Sequence, residues 1–198
     1  IRLDSVSANG VPGMVSGIDT IIVLPFATAT LLSDTVTLCP GQSDTLRIQF
    51  DGPGPYTFQY AVNTDTMPLL TTADSIFTIP IQPPPGQHVY KLTFVQGDTC
   101  GGVVQGVYSV FVPAPVTVNL SGDTTICPGG TAFLTLSFSG SPPFITNYTA
   151  NGTPQQADTS LFNPRTLILS PDSTTLYQVT SVSSGSCTGT ATGQANVT

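Results

Sequence analysis

Residues 44–56 read Asp44-Thr45-Leu46-Arg47-Ile48-Gln49-Phe50-Asp51-Gly52-Pro53-Gly54-Pro55-Tyr56. Leu46, Ile48 and Phe50 alternate with polar residues, and a period of two predicts a strand with one buried face. The Gly- and Pro-rich run that follows predicts a turn, because Gly supplies unusual backbone angles and Pro presets one of them. The passage returns 88 residues later: Leu134, Leu136, Phe138 and Gly140 repeat Leu46, Ile48, Phe50 and Gly52, and Pro143-Phe144 repeats Pro55-Tyr56.

The match extends in both directions. Cys39-Pro40-Gly41 returns as Cys127-Pro128-Gly129, and Tyr60 as Tyr148. At an offset of 87, the run 89–93 returns as 176–180 and Cys100 as Cys187. Turn clusters at 51–55, 83–86 and 139–143 space the strands as in a sandwich. The predicted fold is all-β: two tandem immunoglobulin-like β-sandwich domains, residues 28–114 and 115–198, each with one intradomain disulfide, preceded by an extended N-terminal β segment over 1–27. Val112-Pro113-Ala114-Pro115-Val116 joins the repeats, and its alternating prolines predict an extended, semi-rigid connection.

Composition narrows the function. Only 8% of the 198 residues are charged, against roughly 25% in an ordinary soluble domain. The net charge is −7, and the four basic residues Arg2, Arg47, Lys91 and Arg165 form no cluster, which argues against a nucleic-acid partner or an anionic membrane surface. The longest apolar run, Ile21 to Phe26, is strand-sized, so no membrane insertion is expected. A chain starting at Ile1 is expected to be either a processed protein or part of a longer one.

The Cys occupy equivalent places in the two repeats, 61 positions apart in the first and 60 in the second. The simplest pairing is Cys39 with Cys100 and Cys127 with Cys187, placing the chain in an oxidising compartment. Loops of that length predict about 3 to 4 kcal/mol per bridge in the chain-entropy model. Zinc binding and buried thiols are the competing readings, and the spacing does not fit zinc. His88 stands alone in a loop, without the partners of a triad. No Asp-x-Asp-x-Asp calcium loop occurs. No catalytic residue, metal or cofactor is expected, and the chain reads as a non-enzyme.

All 11 acidic residues are Asp, and ten are followed by Ser or Thr, where a Ser and Thr content of about a quarter predicts about three. In eight the third residue is apolar or Thr, which singles out Ser5, Thr20, Thr35, Thr45, Thr66, Ser75, Thr124 and Ser173. Turn chemistry accounts for part of the pattern. In a strand that starts there, the third residue points inward and the hydroxyl outward, a geometry suited to covalent O-glycans. Asn-X-Ser/Thr sequons at Asn119, Asn147, Asn151 and Asn196 carry less weight in so Thr-rich a chain.

The element Ser-(Asp/Gly)-x-x-Thr-(Leu/Ile)-Cys-Pro-Gly, then Gly-x-x-Pro-(Tyr/Phe), then (Val/Leu)-Tyr-x-(Leu/Val)-Thr before Cys, occurs twice over about residues 28 to 198. It resembles the tandem Ig-like or PKD-like repeats of large secreted surface proteins of Bacteroidota, including gliding-motility-associated adhesins exported by the type IX pathway. The resemblance implies a repeat architecture, an extracellular or cell-surface location and O-glycan acceptors at Asp-(Ser/Thr) followed by an apolar residue or Thr. It implies no catalytic residue; a type IX sorting domain does not appear in these residues, and is expected either to have been cleaved or to lie outside a fragment.

Residues 1–27 have no counterpart in the second repeat. Ile18, Ile21, Ile22, Val23, Leu24 and Phe26 would be apolar on both faces of a strand. They read as an extra hairpin or strand of the first domain, as the tail of a preceding repeat, or as a donor strand that completes the sheet of a neighbouring subunit and builds a filament. The expected function is a structural subunit or repeat segment of an extracellular fibre, whose partners are copies of itself and covalent O-glycans. The alternative is an adhesin module binding carbohydrate or a cell-surface partner. With no Trp, and with Tyr56/Phe144 and Tyr90/Tyr177 at repeated positions that read as core, a sugar-stacking platform is not favoured.

Overall fold

The computed structural model describes residues 4–17, 25–32, 35–98 and 100–198, and every regular element in them is a strand. No helix long and apolar enough to cross a membrane is found among the described residues. The chain opens on a hairpin, β1 (Ser7–Ala8) with β2 (Val11–Pro12). Asn9 and Gly10 turn it with φ of 52° and 81°, the positive angles that two-residue hairpin loops need. It pairs with no other strand among the described residues. Residues 18–24, and with them Ile18, Ile21, Ile22, Val23 and Leu24, lie outside the described residues.

The first repeat contributes β3 (Thr28–Leu32), β4 (Val36–Thr37), β5 (Asp44–Asp51), β6 (Tyr56–Val62) and β7 (Asp65–Thr66). It continues through β8 (Leu70–Thr72), β9 (Ile76–Ile81), β10 (Gly86–Gln96), β11 (Val103–Gln105) and β12 (Val107–Val112). One sheet runs β11-β3-β5-β9, and the other β4-β12-β10-β6-β7 with β8 also on β6. Strict alternation along β5 buries Leu46, Ile48 and Phe50 and exposes Thr45, Arg47 and Gln49. With Phe58, Val95 and Val110 they form a core that excludes water; each such side chain contributes about 2 to 3 kcal/mol on burial.

The second repeat contributes β13 (Thr117–Ser121), β14 (Ala132–Ser139), β15 (Phe144–Ala150), β16 (Thr153–Pro154), β17 (Asp158–Ser160), β18 (Arg165–Leu169), β19 (Thr175–Ser184) and β20 (Cys187–Val197). Its core gathers Val118, Leu134, Leu136, Phe144 and Val182. The long β20 pairs with both β13 and β19, so the strands follow one continuous path, β16-β15-β19-β20-β13-β14-β18, with β17 beside it on β15. In the first repeat the corresponding strand is interrupted at Gly106, which splits it into β11 and β12.

The repeats match in detail. Phe50 stacks on Tyr56 with centroids 4.8 Å apart, and Phe138 on Phe144 at 4.3 Å. The Asn63 carboxamide accepts the Val89 N–H at 2.9 Å, and Asn151 accepts that of Leu176 at 2.8 Å. Asn63 and Asn151 both adopt positive φ, a conformation Asn tolerates better than other side chains. That shared role accounts for Asn151 structurally, whatever its sequon context. No strand of residues 28–112 pairs with a strand of residues 117–197 among the described residues.

Candidate functional site at the junction of the repeats

The feature that joins the repeats is a disulfide between Cys39 and Cys187, with Cα atoms 5.3 Å apart. This corrects the expectation of one bridge inside each repeat, Cys39 with Cys100 and Cys127 with Cys187. The reason is the direction of the strands. Cys39 follows Leu38, whose N–H donates to the Phe111 carbonyl at the end of β12. There β10 begins, with Gly86 opposite Val112. Cys100 lies past the other end of β10, where the Gly97 N–H donates to its carbonyl. Ten residue steps of about 3.3 Å put roughly 33 Å between those ends, while a disulfide needs Cα atoms within about 7 Å.

The second repeat is built the same way. Cys187 opens β20 opposite Ser184, and three residues on Thr190 N–H donates to the Val116 carbonyl. Cys127 sits at the opposite end, after Ile126, whose N–H donates to the Thr198 carbonyl. Cys39 and Cys187 therefore flank the same short connection, residues 113–115, from its two sides.

Glycine makes the approach at Cys187 possible. A Cβ on Gly189 would lie 1.9 Å from the Val116 carbonyl oxygen, and one on Gly102 would lie 2.1 Å from that of Ala27. The hairpin behind each Cys can thus lie directly on the backbone that enters the repeat.

Pro113 is half-buried while Ala114 and Pro115 are exposed, so the connection runs along the surface between two anchored ends. Closing 148 residues of sequence separation corresponds to about 5 kcal/mol in the chain-entropy model. The junction thus links the two repeats covalently at a second point, beside the connection itself.

The Asp-hydroxyl residues are distributed over the surface and converge on no single site. Ser5, Thr35, Thr45, Thr66, Ser75 and Ser173 are exposed, and Thr124 is half-buried. Thr20 lies outside the described residues. The third residue turns inward at Leu46, but Val6 and Ile76 are 47% and 45% exposed. Asp44 shows the turn role: one carboxylate oxygen accepts the Thr45 N–H at 2.8 Å and the other accepts the Tyr108 hydroxyl. Burial first, and that hydrogen bond second, raise the Tyr108 phenol far above its ordinary value.

Phe26, the described member of the proposed donor segment, is 56% exposed. A ring nitrogen of His88 donates to the Pro84 carbonyl at 2.8 Å, which anchors its loop. Tyr56, Tyr90, Phe144 and Tyr177 are buried. No group of three His, Cys, Asp or Glu able to hold a metal ion occurs among the described residues.

One surface feature escaped the sequence reading. Phe133 on β14 and Ile168 on β18 are directly paired and project outward, 61% and 67% exposed. Leu161 and Phe162 stand exposed in the loop before β18. The signal was present: Phe133 falls between Ala132 and Leu134, out of phase with the inward residues.

No protein-family model matches the chain, and no curated protein matches it. Among solved structures, the I-band fragment I67–I69 of titin aligns with a TM-score of 0.59 at 12% identity, covering 88% of this chain and 66% of that one. The chain shares an Ig-like β-sandwich fold with it. This chain spans about two thirds of that fragment's length. The four N-terminal Ig domains of Dscam1 align at 0.41 and 15% identity, covering 88% of this chain and 46% of that one. Fibronectin(III)-like modules of Clostridium thermocellum CbhA align at 0.32 and 13%, covering 85% and 92%.

Proposed function

We propose that the chain is a load-bearing segment of an extracellular fibre or surface protein, made of two tandem Ig-like modules at 28–114 and 115–198. The observation that carries this reading is the Cys39–Cys187 bridge across the connection between the repeats. A covalent staple placed there lies outside both cores and would stop the modules from parting under tension, and it persists in an oxidising compartment. The near absence of charge and the surface hydroxyls at Ser5, Thr35, Thr45, Thr66, Ser75 and Ser173 support O-glycan cover. The resemblance to secreted surface repeats of Bacteroidota points the same way. Strand addition by residues 18–26 is the proposed route of polymerisation, and deleting residues 1–27 tests it: folded monomers without filaments are expected, and filaments after deletion would exclude it.

The reading as a whole is tested on the native protein by electron microscopy and intact-mass measurement. Strings of modules carrying hexose-sized mass increments at Asp-Ser/Thr sites are expected. A bare single chain that binds glycans on an array would overturn it. Such a result would favour an adhesin module, the reading to which the exposed pair Phe133–Ile168 and neighbouring Leu161 and Phe162 lend support. Phe133→Ser would then abolish capture, whereas a structural segment would keep its assembly.

A further inference from the structure

The bridge uses one Cys of each repeat and leaves each repeat with the other kind. Cys39 belongs to the Cys-Pro-Gly element at the end where the first repeat finishes, and Cys127 is the same residue of the second. Cys187 belongs to the hairpin at the end where the second repeat starts, and Cys100 is the same residue of the first. We infer that Cys127 is half of a second staple, and that its partner is Cys100 of a second copy of this chain, set head to tail. This rests on the reading of the chain as a segment of an array.

Three observations support the equivalence, beyond the bridge that Cys39 and Cys187 already form. First, Cys127 is exposed and held as Cys39 is: Ile126 N–H donates to the Thr198 carbonyl, as Leu38 N–H does to that of Phe111. Second, the hairpin of Cys100 meets the entering chain as that of Cys187 does. Gly102 lies against the Ala27 carbonyl where Gly189 lies against that of Val116, and both contacts are closer than any side chain permits. Pro25-Phe26-Ala27 thus takes the place that Ala114-Pro115-Val116 takes before the second repeat. Third, an open cleft beside Cys127, lined by Pro128, Pro171, Thr174 and Thr198, offers a seat at the end where a hairpin would arrive.

The chemistry balances with a disulfide oxidant such as glutathione disulfide. The Cys127 thiolate attacks it and releases one glutathione thiol; the Cys100 thiolate of the second copy then displaces the other. Two protein thiols are oxidised, one glutathione disulfide is reduced to two thiols, and no further reactant is needed.

Complementary variants test the pairing. Cys100→Ser keeps Cys127, and Cys127→Ser keeps Cys100, while both keep the Cys39–Cys187 bridge. In a glutathione redox buffer each variant alone should remain a single chain of 20.5 kDa, bare or carrying one glutathione. Their mixture should give a non-reducible-by-dilution, dithiothreitol-sensitive species at twice that mass, with a Cys127–Cys100 peptide in the digest. The unsubstituted chain, mixed as light and 15N-labelled copies, should form longer ladders through the same peptide. The inference is overturned by a mixture that stays monomeric while the Cys39–Cys187 peptide forms, by Cys127–Cys127 dimers of Cys100→Ser, or by Cys127–Cys100 linkage within one copy. If native protein images as strings of modules while the mixture stays monomeric, the structural reading stands and this inference alone fails.

Discussion

Phe58 and Thr146 hold the same position in the two repeats, 88 residues apart, and both are fully buried. In the first repeat Phe58 packs against Phe50 at 5.0 Å and edge-on against Phe77 at 5.3 Å, and pairs across strands with Leu70. In the second, the corresponding residues are Thr146, Asp158 and Arg165, with Asp158 opposite Thr146 and an Arg165–Asp158 ion pair at 3.1 Å. That pair raises the Arg165 pKa further. The Thr146 hydroxyl is left without a hydrogen-bond partner. Near the other end the roles reverse: the part-buried link from Tyr108 to Asp44 in the first repeat corresponds to Ala195 and Ala132 in the second, both buried. The sandwich is therefore specified by which positions face inward, while the chemistry of a given layer is free to change if its neighbours change with it. The first repeat is sealed by aromatic rings where the second is sealed by an ion pair over an unsatisfied hydroxyl, and the second is expected to be the weaker.

The largest expected effect comes from removing the staple that hides this difference. Cys39→Ser should lower stability by up to about 5 kcal/mol in the chain-entropy model. Thermal unfolding, followed by hydrogen exchange in each repeat, should separate into two transitions with the second repeat opening first. A single transition of unchanged midpoint would mean that the bridge carries no load. Next, Phe58→Ala should cost about 3 to 5 kcal/mol, because it removes a fully enclosed ring and leaves a cavity. In the Cys39→Ser background it should invert the order of melting, and an unchanged order would mean that the aromatic layer around Phe58 is not what makes the first core the stronger.

Much of the fold was legible because alternation and turn chemistry are local: Leu46, Ile48 and Phe50, and their counterparts Leu134, Leu136 and Phe138, face inward as a period of two requires. The disulfide was not, because constant spacing between Cys is equally compatible with pairing inside a repeat and between repeats. What decides is parity. From Cys39 to Cys100 the chain crosses the sandwich along β5, β6, β8, β9 and β10, and an odd number of crossings ends on the far side. Counting strands in the sequence could have revealed this; matching Cys by distance along the chain could not. The Asp-hydroxyl pattern was legible as a turn signal at Asp44, yet the inward third residue fails at Ile76, where β9 borders the sheet.

Tyr108→Phe probes the polar link that only the first repeat has. Loss of a hydrogen bond to a carboxylate should cost about 1.5 to 2 kcal/mol at neutral pH. The folded-state pKa of Tyr108 is raised above its ordinary value of 10, by burial and then by Asp44. Its contribution is thus whole below pH 10 and declines above it, because the unfolded chain releases the phenolic proton first. The variant should lose stability less steeply than the parent between pH 10 and 12 in denaturant titrations. Equal slopes would show that Tyr108 is not the group responsible.

Thr146→Val is the smallest and most direct test of the second repeat. Val has nearly the shape of Thr, so the exchange opens no cavity, and it replaces a hydroxyl that gave up its water on folding and gained no partner. Removing such a group should raise stability, by about 1 kcal/mol. The gain should be confined to the second repeat: in the Cys39→Ser background its transition should move up toward that of the first, narrowing the gap between them. Loss of stability would mean that the hydroxyl is satisfied in solution, by a water or by the nearby Asp158, and that the polar layer of the second repeat is a closed network instead of a weak point. The gap that remains in the Thr146→Val variant would measure the differences the substitution leaves in that layer: the ring of Phe58 against the smaller Val, Leu70 against Asp158, and Phe77 against Arg165.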